Sequence, residues 1–429
     1  MDGAAILDAI RIFVALLGLA AIVAIVVRPL RLPYSVALVI VGLGAGLVET
    51  AIAGPEPVVP PEVVLVVLLP GLVFEAGYRL DLTHLRRSFA ALLLLAAPGV
   101  VISAAVVAVL LHVVTGLRLD LAFIVGAMVS ATDPVAVVAT FRRLHVPRDL
   151  ATIVEGESLL NDGTGLVVFG IAVGALTVPL DPGGALVAFV AAIVVSGAIG
   201  LAAGFVAARL MALVDDHLIQ LTISVVLAYG TYLLADGLHE SGIIATVVAA
   251  VVLGNYGRTA GVSETGADAL DTVWEFLAYL LTALVFLLVG LAFPIVKLVD
   301  SLGWIAVGVI GALLGRALVV YVLLGGVARF LPVVGARGGL PVGWLHVLFW
   351  AGLRGAVAVA MALALPVDVP QRALLQEITF GIVLFTLLVQ GSTAGFVVRR
   401  AVGEGSAAAA APDGEGPGRD DPGSTSERA

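Results

Sequence analysis

The chain has 429 residues, 61% hydrophobic and 12% charged, with a formal net charge of −9; soluble domains run at roughly 45–50% apolar and 25% charged. With a mean hydropathy of +1.16, this is an all-α, polytopic membrane chain whose first partner is the lipid bilayer, and no nucleic-acid partner is expected. The absence of cysteine excludes disulfides, thiol catalysis and Cys-ligated metal.

Apolar runs of about 20 residues, the length that crosses a hydrocarbon core, recur near 4–27, 33–53, 60–78, 89–114, 119–141, 149–177, 184–209, 218–235, 240–254, 270–293, 301–328, 342–365 and 372–398. They predict thirteen spans. The first lacks a basic leader and a cleavage site, so it reads as a retained helix. The third carries Glu75. The fifth is interrupted by Thr132-Asp133-Pro134, where proline removes a donor and disfavours helix at the residue before it. The sixth contains IVEGESLLNDGTG over 153–165, which sets Glu155, Glu157, Asn161 and Asp162 in an otherwise apolar stretch. The eleventh holds Arg316, whose partner the sequence does not identify, and the twelfth is interrupted by Gly352-Leu353-Arg354-Gly355. An ionised group at the centre of a spanning helix costs on the order of 2.5–3.5 kcal/mol on insertion scales, and such groups mark ion or proton paths. Transport is therefore the expected function.

Arginine placement orients the chain, because cytoplasmic loops collect Lys and Arg. With the N-terminus outside, the inner loops hold Arg28, Arg31, Arg79, Arg86, Arg87, Arg142, Arg143, Arg148, Arg209, Arg258, Arg329, Arg337, Arg399 and Arg400, and the outer loops only Arg118, Lys297 and Arg372. The C-terminus is then cytoplasmic, in a plasma membrane. Spans seven apart face opposite ways, so two six-helix halves flanking a seventh span would be inverted repeats, which place a site at mid-membrane between interrupted helices. The fifth and twelfth spans, seven apart, carry the two interruptions.

Broken helices present positive and negative dipole ends inside the protein. Asp133 can balance the former, as support for the site rather than as carrier, and freed carbonyls near Thr132 can coordinate a cation. On the sixth span Ser158 and Asp162 lie one turn apart on one face, ~6 Å along the axis. They offer a hydroxyl and a carboxylate to a small hard cation, which prefers oxygen ligands. Burial disfavours the bare carboxylate, so Na⁺ or K⁺ and a proton can compete for Asp162. Arg354 needs a partner at that depth, and Glu157 is the one expected, in a structural ion pair.

The strings SATDPVAVVATF (130–141), VEGESLLNDGTGLVVF (154–169), SGIIATVVAAVVLGN (241–255) and AGLRGAVAVAMALALP (351–366), with FEAGYRLD (74–81), resemble the monovalent cation/proton antiporter family in its NhaP/NHE-like branch. The resemblance covers the chain to about residue 400. It implies a thirteen-span fold of two inverted six-helix repeats, in which a core domain moves against a dimerisation domain and Na⁺ or K⁺ is exchanged for H⁺ by alternating access. Residues 1–400 would form that transmembrane domain, with core helices around 60–177 and 301–398 and the rest forming the dimer contact of a homodimer. It further implies that Asp162 is the ion and proton site, with Ser158, the backbone at Thr132 and Glu75 as further ligands; that Asn161 orients the aspartate; and that Glu157 and Arg354 are a structural ion pair. Asn161-Asp162 resembles the electroneutral branch, where electrogenic relatives carry two aspartates, and so implies one cation for one proton. Glu155 departs from the apolar residue found there in many animal relatives.

A K⁺/H⁺ antiporter of the same fold is the near alternative. A cation channel is a more distant one, since a titratable carrier between inverted repeats favours coupled exchange over a pore. An intramembrane enzyme is disfavoured, because a zinc HExxH helix is absent and no Ser/His pair is evident in the spans. No cofactor is expected. The histidines at 84, 112, 145, 217, 239 and 346 read mostly as solvated groups at span ends, and Gly42 and Gly46, a GxxxG match among 50 glycines, as a chance pattern. The segment 401–429, rich in Ala, Gly, Pro and acids, reads as a disordered cytoplasmic tail.

Overall fold

The structure, a computed structural model, describes residues 3–28, 33–53, 60–144, 146–178, 181–260, 262–293, 298–327 and 340–409. Among the described residues every regular element is helical. In chain order they are α1 (Gly3–Val27), α2 (Tyr34–Ala53), α3 (Leu69–Arg79, entered through a π-helical stretch Val63–Leu68), α4 (Leu82–Ala96), α5 (Pro98–Thr115), α6 (Leu119–Met128), α7 (Val135–Leu144), α8 (Arg148–Gly174) and α9 (Pro182–Met211). There follow α10 (His217–Gly237), α11 (Gly242–Val252), α12 (Glu264–Leu291), α13 (Leu302–Ala317), α14 (Val342–Trp350), α15 (Ala356–Leu363), α16 (Arg372–Phe385) and α17 (Ser392–Ala409).

Nine of the described helices are long and apolar enough to cross a membrane, α4 and α5 counting as one span bent at Pro98. The predicted third, fifth, sixth and twelfth spans fall outside that set. The fifth and twelfth are broken into α6/α7 and α14/α15, and the sixth, α8, carries the carboxylates.

Loop side chains start the helices by accepting the backbone N–H groups that a first turn leaves free. Asp81 accepts from Thr83 at 2.6 Å before α4, Asp216 from Leu218 at 2.8 Å before α10, and Ser241 from Ile244 at 3.3 Å before α11. Gly116 ends α5 at φ 75, where its N–H bonds the His112 carbonyl at 3.0 Å, a left-handed cap that favours glycine.

Two groups of helices pack among themselves: α1–α3 with α9–α12, and α4–α8 with α13–α17. The sequence reading placed 60–78 in the core group, but α3 packs on α11 and α12 instead. Small residues explain the fit, since a Cβ on Gly77 would stand 3.0 Å from the Ala250 Cβ. The GxxxG pattern is also a contact. A Cβ on Gly42 would lie 2.3 Å from the Leu287 carbonyl oxygen, and one on Gly290 2.3 Å from that of Val39, so backbones of α2 and α12 meet where no side chain fits. Gly42→Ala is expected to destabilise by about 1–3 kcal/mol, as overpacking does, and thermal unfolding in detergent would show it; an unchanged melting temperature would mean the helices separate at no cost.

Three histidines read as solvated are partnered. His84 Nδ1 lies 2.6 Å from the Asp149 carboxylate, His112 Nδ1 2.7 Å from the Leu117 carbonyl and His346 Nδ1 2.7 Å from the Tyr321 hydroxyl, while His145 lies outside the described residues. The proposed tail begins inside α17, which runs to Ala409. Its remainder, 410–429, lies outside the described residues.

Candidate functional site

The site forms where the two broken helices cross. α6 ends at Met128 and α7 resumes at Val135; α14 ends at Trp350 and α15 starts at Ala356. The two interruptions bond to each other, the Asp133 N–H donating to the Leu353 carbonyl at 2.7 Å. Each also sends one charge to the other helix. Asp133 accepts from the Val135 N–H at 3.0 Å, at the start of α7, and from the Ala356 N–H at the start of α15. Arg354 is 2% exposed and donates from Nη1 to the Ser130 carbonyl at 2.8 Å and the Ala131 carbonyl at 3.4 Å, just past the end of α6. A carboxylate thus faces two positive helix ends and a guanidinium the negative end of a third, the placement that helix dipoles favour. Gly355 permits it, because a Cβ there would stand 2.2 Å from Asp133 Oδ2.

Beside this crossing runs α8. The Ser158 hydroxyl donates to the Thr132 carbonyl. Asn161 Nδ2 donates to the Thr132 hydroxyl at 2.6 Å, and the Thr132 N–H returns a bond to Asn161 Oδ1 at 3.2 Å. Thr132, Ser158 and Asn161 are all buried, at 4%, 5% and 1% exposure, so α8 is clamped to the first break without water competing. Next along the helix, Asp162 is half-buried, with the charge of Asp133 bearing on it. Among the described residues none donates a hydrogen bond to the Asp162 carboxylate, which is held by its helix and left with oxygens to bind a cation or a proton. On the far side Gly163 lets α11 pack closely on α8, since a Cβ there would lie 2.5 Å from Ile244 Cγ1 of α11. The carboxylate therefore sits on the seam between the two helix groups.

The expected ion pair takes a different partner. Glu157 is engaged by Arg316, whose Nη1 donates to Glu157 Oε1 and Nη2 to Oε2 at 2.9 Å, both side chains being at most 5% exposed. Arg354 does not take that role. Its backbone N–H donates to the Thr386 hydroxyl at 3.0 Å and its guanidinium serves the carbonyls of the first break. Arg316 was visible as an orphan charge in the eleventh span; Thr386, a lone hydroxyl in the last span, carried no signal that sets it apart. Glu75 is the candidate ligand that the structure ties elsewhere, to Arg79 one turn along α3 at 2.5 Å.

The model of the family described as sodium/hydrogen exchanger, transmembrane, matches residues 14–400. The chain belongs to this family. This exchanger is 35% identical over 378 residues to the low-affinity Na⁺/H⁺ antiporter NhaS1 of Synechocystis, covering 86% of this chain and 69% of that one. It is 34% identical over 396 residues to the Na⁺/H⁺ antiporter NhaH of Halobacillus aidingensis, covering 90% and 96%. Its fold matches that of the sodium proton antiporter MjNhaP1 of Methanocaldococcus jannaschii with a TM-score of 0.75 at 19% identity, over 93% of this chain and 99% of that one. The protein is a multi-pass membrane transporter and not an enzyme.

Proposed function

We propose that this exchanger moves Na⁺ against H⁺ by alternating access, with Asp162 binding the cation and the proton in turn. What carries the reading is the cluster at the crossing, where a carboxylate with no hydrogen-bond donor among the described residues stands beside the Ser158 hydroxyl and the freed Thr132 carbonyl. These are oxygen ligands suited to a hard monovalent ion, and a proton on the carboxylate removes the charge that holds the ion. Exchange follows because the seam must close on one occupant before it opens on the other side.

Sodium is chosen over potassium because relatives such as NhaS1 and NhaH are named as Na⁺/H⁺ antiporters. The stoichiometry we infer is one to one: Asn161 is neutral, and Asp133 is committed to helix ends. The N-terminus would face outward and the C-terminus the cytoplasm, in the plasma membrane, and α1 and α9 turn apolar side chains such as Ile25, Val187 and Val194 outward, toward lipid or a second copy in a homodimer. Glu75, tied to Arg79, would join the ion only when that contact opens.

Purified protein in liposomes containing a pH dye tests this. A Na⁺ pulse should drive proton movement with a smaller response to K⁺, and a membrane potential imposed without ion gradients should drive none. Potential-driven transport would replace the one-to-one reading; a larger K⁺ response would make the protein a K⁺/H⁺ antiporter; and cation flux with no proton coupling would make it a channel.

A further inference from the structure

On the face that the arginine bias assigns to the cytoplasm, an open polar cavity of about 400 Å³ lies by the ends of α3, α11 and α12, lined by Tyr78, Arg79, Asp81, Arg258, Asp271 and Glu275 among others. Its charges form an ordered set. Arg258 is engaged by Asp271, with its guanidinium 4.7 Å above the Tyr78 ring. Asp81 accepts from the Thr83 N–H. Arg79 is shared: Nε lies 2.5 Å from Glu75 and Nη2 3.2 Å from Glu275. Side-chain exposure falls from 65% at Glu275 through 32% at Arg79 to 15% at Glu75. A guanidinium therefore stands between an open carboxylate at the cavity mouth and a sheltered one in the third span. Tyr78, 2% exposed, stands at the same wall beside the Arg258–Asp271 pair.

We propose that this cavity is the cation vestibule on this face and that Arg79 is a tethered cation competing with the substrate ion. Resting on Glu75, the guanidinium occupies the first sheltered carboxylate an entering ion meets. Glu275 is its second seat, and a sodium ion reaches Glu75 as Arg79 swings to Glu275. The lining carboxylates Asp81, Asp271 and Glu275 outnumber the guanidiniums Arg79 and Arg258, with Glu75 behind Arg79, a surplus that concentrates cations at the mouth. Arg79 thus sets the sodium concentration at which transport begins. It is a positioning residue that acts through Glu75. This inference rests on the proposed exchange reaction and adds to it the route by which the ion enters.

Sodium-driven proton exchange in liposomes, measured over a range of Na⁺ concentrations on the full chain, tests it. In Arg79→Gln the competing cation is gone, and the apparent KM for Na⁺ should fall about two- to fivefold, the span a half-exposed ion pair supports. In Glu275→Gln the guanidinium loses its second seat, and KM should rise by a similar factor. Arg79→Lys keeps the charge and should stay close to wild type, which separates competition from a loss of fold. Opposite shifts in the first two variants support the vestibule. Equal shifts, or none, in proteins that still exchange overturn it while leaving the exchange reading intact; a wild type without exchange removes that reading instead.

Discussion

Asp162→Asn is expected to reduce Na⁺-driven proton movement in liposomes to the level of protein-free vesicles. The substitution keeps the shape and an oxygen, but removes both the negative charge that holds a cation and the site a proton can take and leave at working pH. Its neighbours should be undisturbed. Ser158, Asn161 and Thr132 bond among themselves without using Asp162, so the variant should fold, reach the membrane and melt near the wild-type temperature. That combination, native stability with no exchange, identifies a carrier. A variant that retained full exchange would move the carrier role to another carboxylate, with Asp133 the first to test, since its charge bears on the same place.

The second large effect is on stability. Glu157 and Arg316 are both nearly inaccessible and bonded through two parallel contacts, and Arg316 also donates to the Leu348 carbonyl from Nε and Nη2, at 3.2 and 2.6 Å. The pair therefore ties α8 to α13 and to the end of α14. Removing one member leaves a buried charge without its partner, at about 3–5 kcal/mol. Arg316→Met and Glu157→Gln should each lower the thermal midpoint in detergent by several degrees or abolish folded yield. The double variant should recover part of the loss, because no lone charge remains. Arg354→Met should couple to Glu157→Gln more weakly than Arg316→Met does, because Arg354 feels the Glu157 charge without a direct contact to it. Additive losses for Glu157 and Arg316, or a stronger coupling of Glu157 with Arg354 than with Arg316, would restore the pairing first expected from the sequence.

That pairing shows where one-dimensional reasoning stops. An arginine and a glutamate in separate spans can be recognised as charges needing partners, since neither is tolerated alone in hydrocarbon. Which arginine meets which glutamate depends on helix rotation and depth. Arg354 sits in an interruption, where the carbonyls of Ser130 and Ala131 accept from its Nη1 while its buried Nε finds no partner among the described residues, and Glu157 goes to Arg316. Glu75 is a different case: its residue type suits ion binding, but Arg79 follows four residues on and occupies it, a contact that i, i+4 spacing makes legible in the chain. Gly42 and Gly46 were indistinguishable from chance among so many glycines until the α12 backbone was found against them.

Membrane residence, the helical stretches, the two breaks and the gathering of polar groups on the sixth span were all legible in the chain itself. They follow from local physics: bilayer thickness sets the length of an apolar run, proline and glycine interrupt helices at their own positions, and i, i+4 spacing puts Ser158 and Asp162 on one face. Partner choice, the helix group to which α3 belongs, and the clamp of Thr132 by Asn161 were decided only in three dimensions. Each joins residues far apart in sequence, as far as 224 positions for Arg354 and Ser130, and such contacts depend on how whole helices rotate and pack, which no local pattern records.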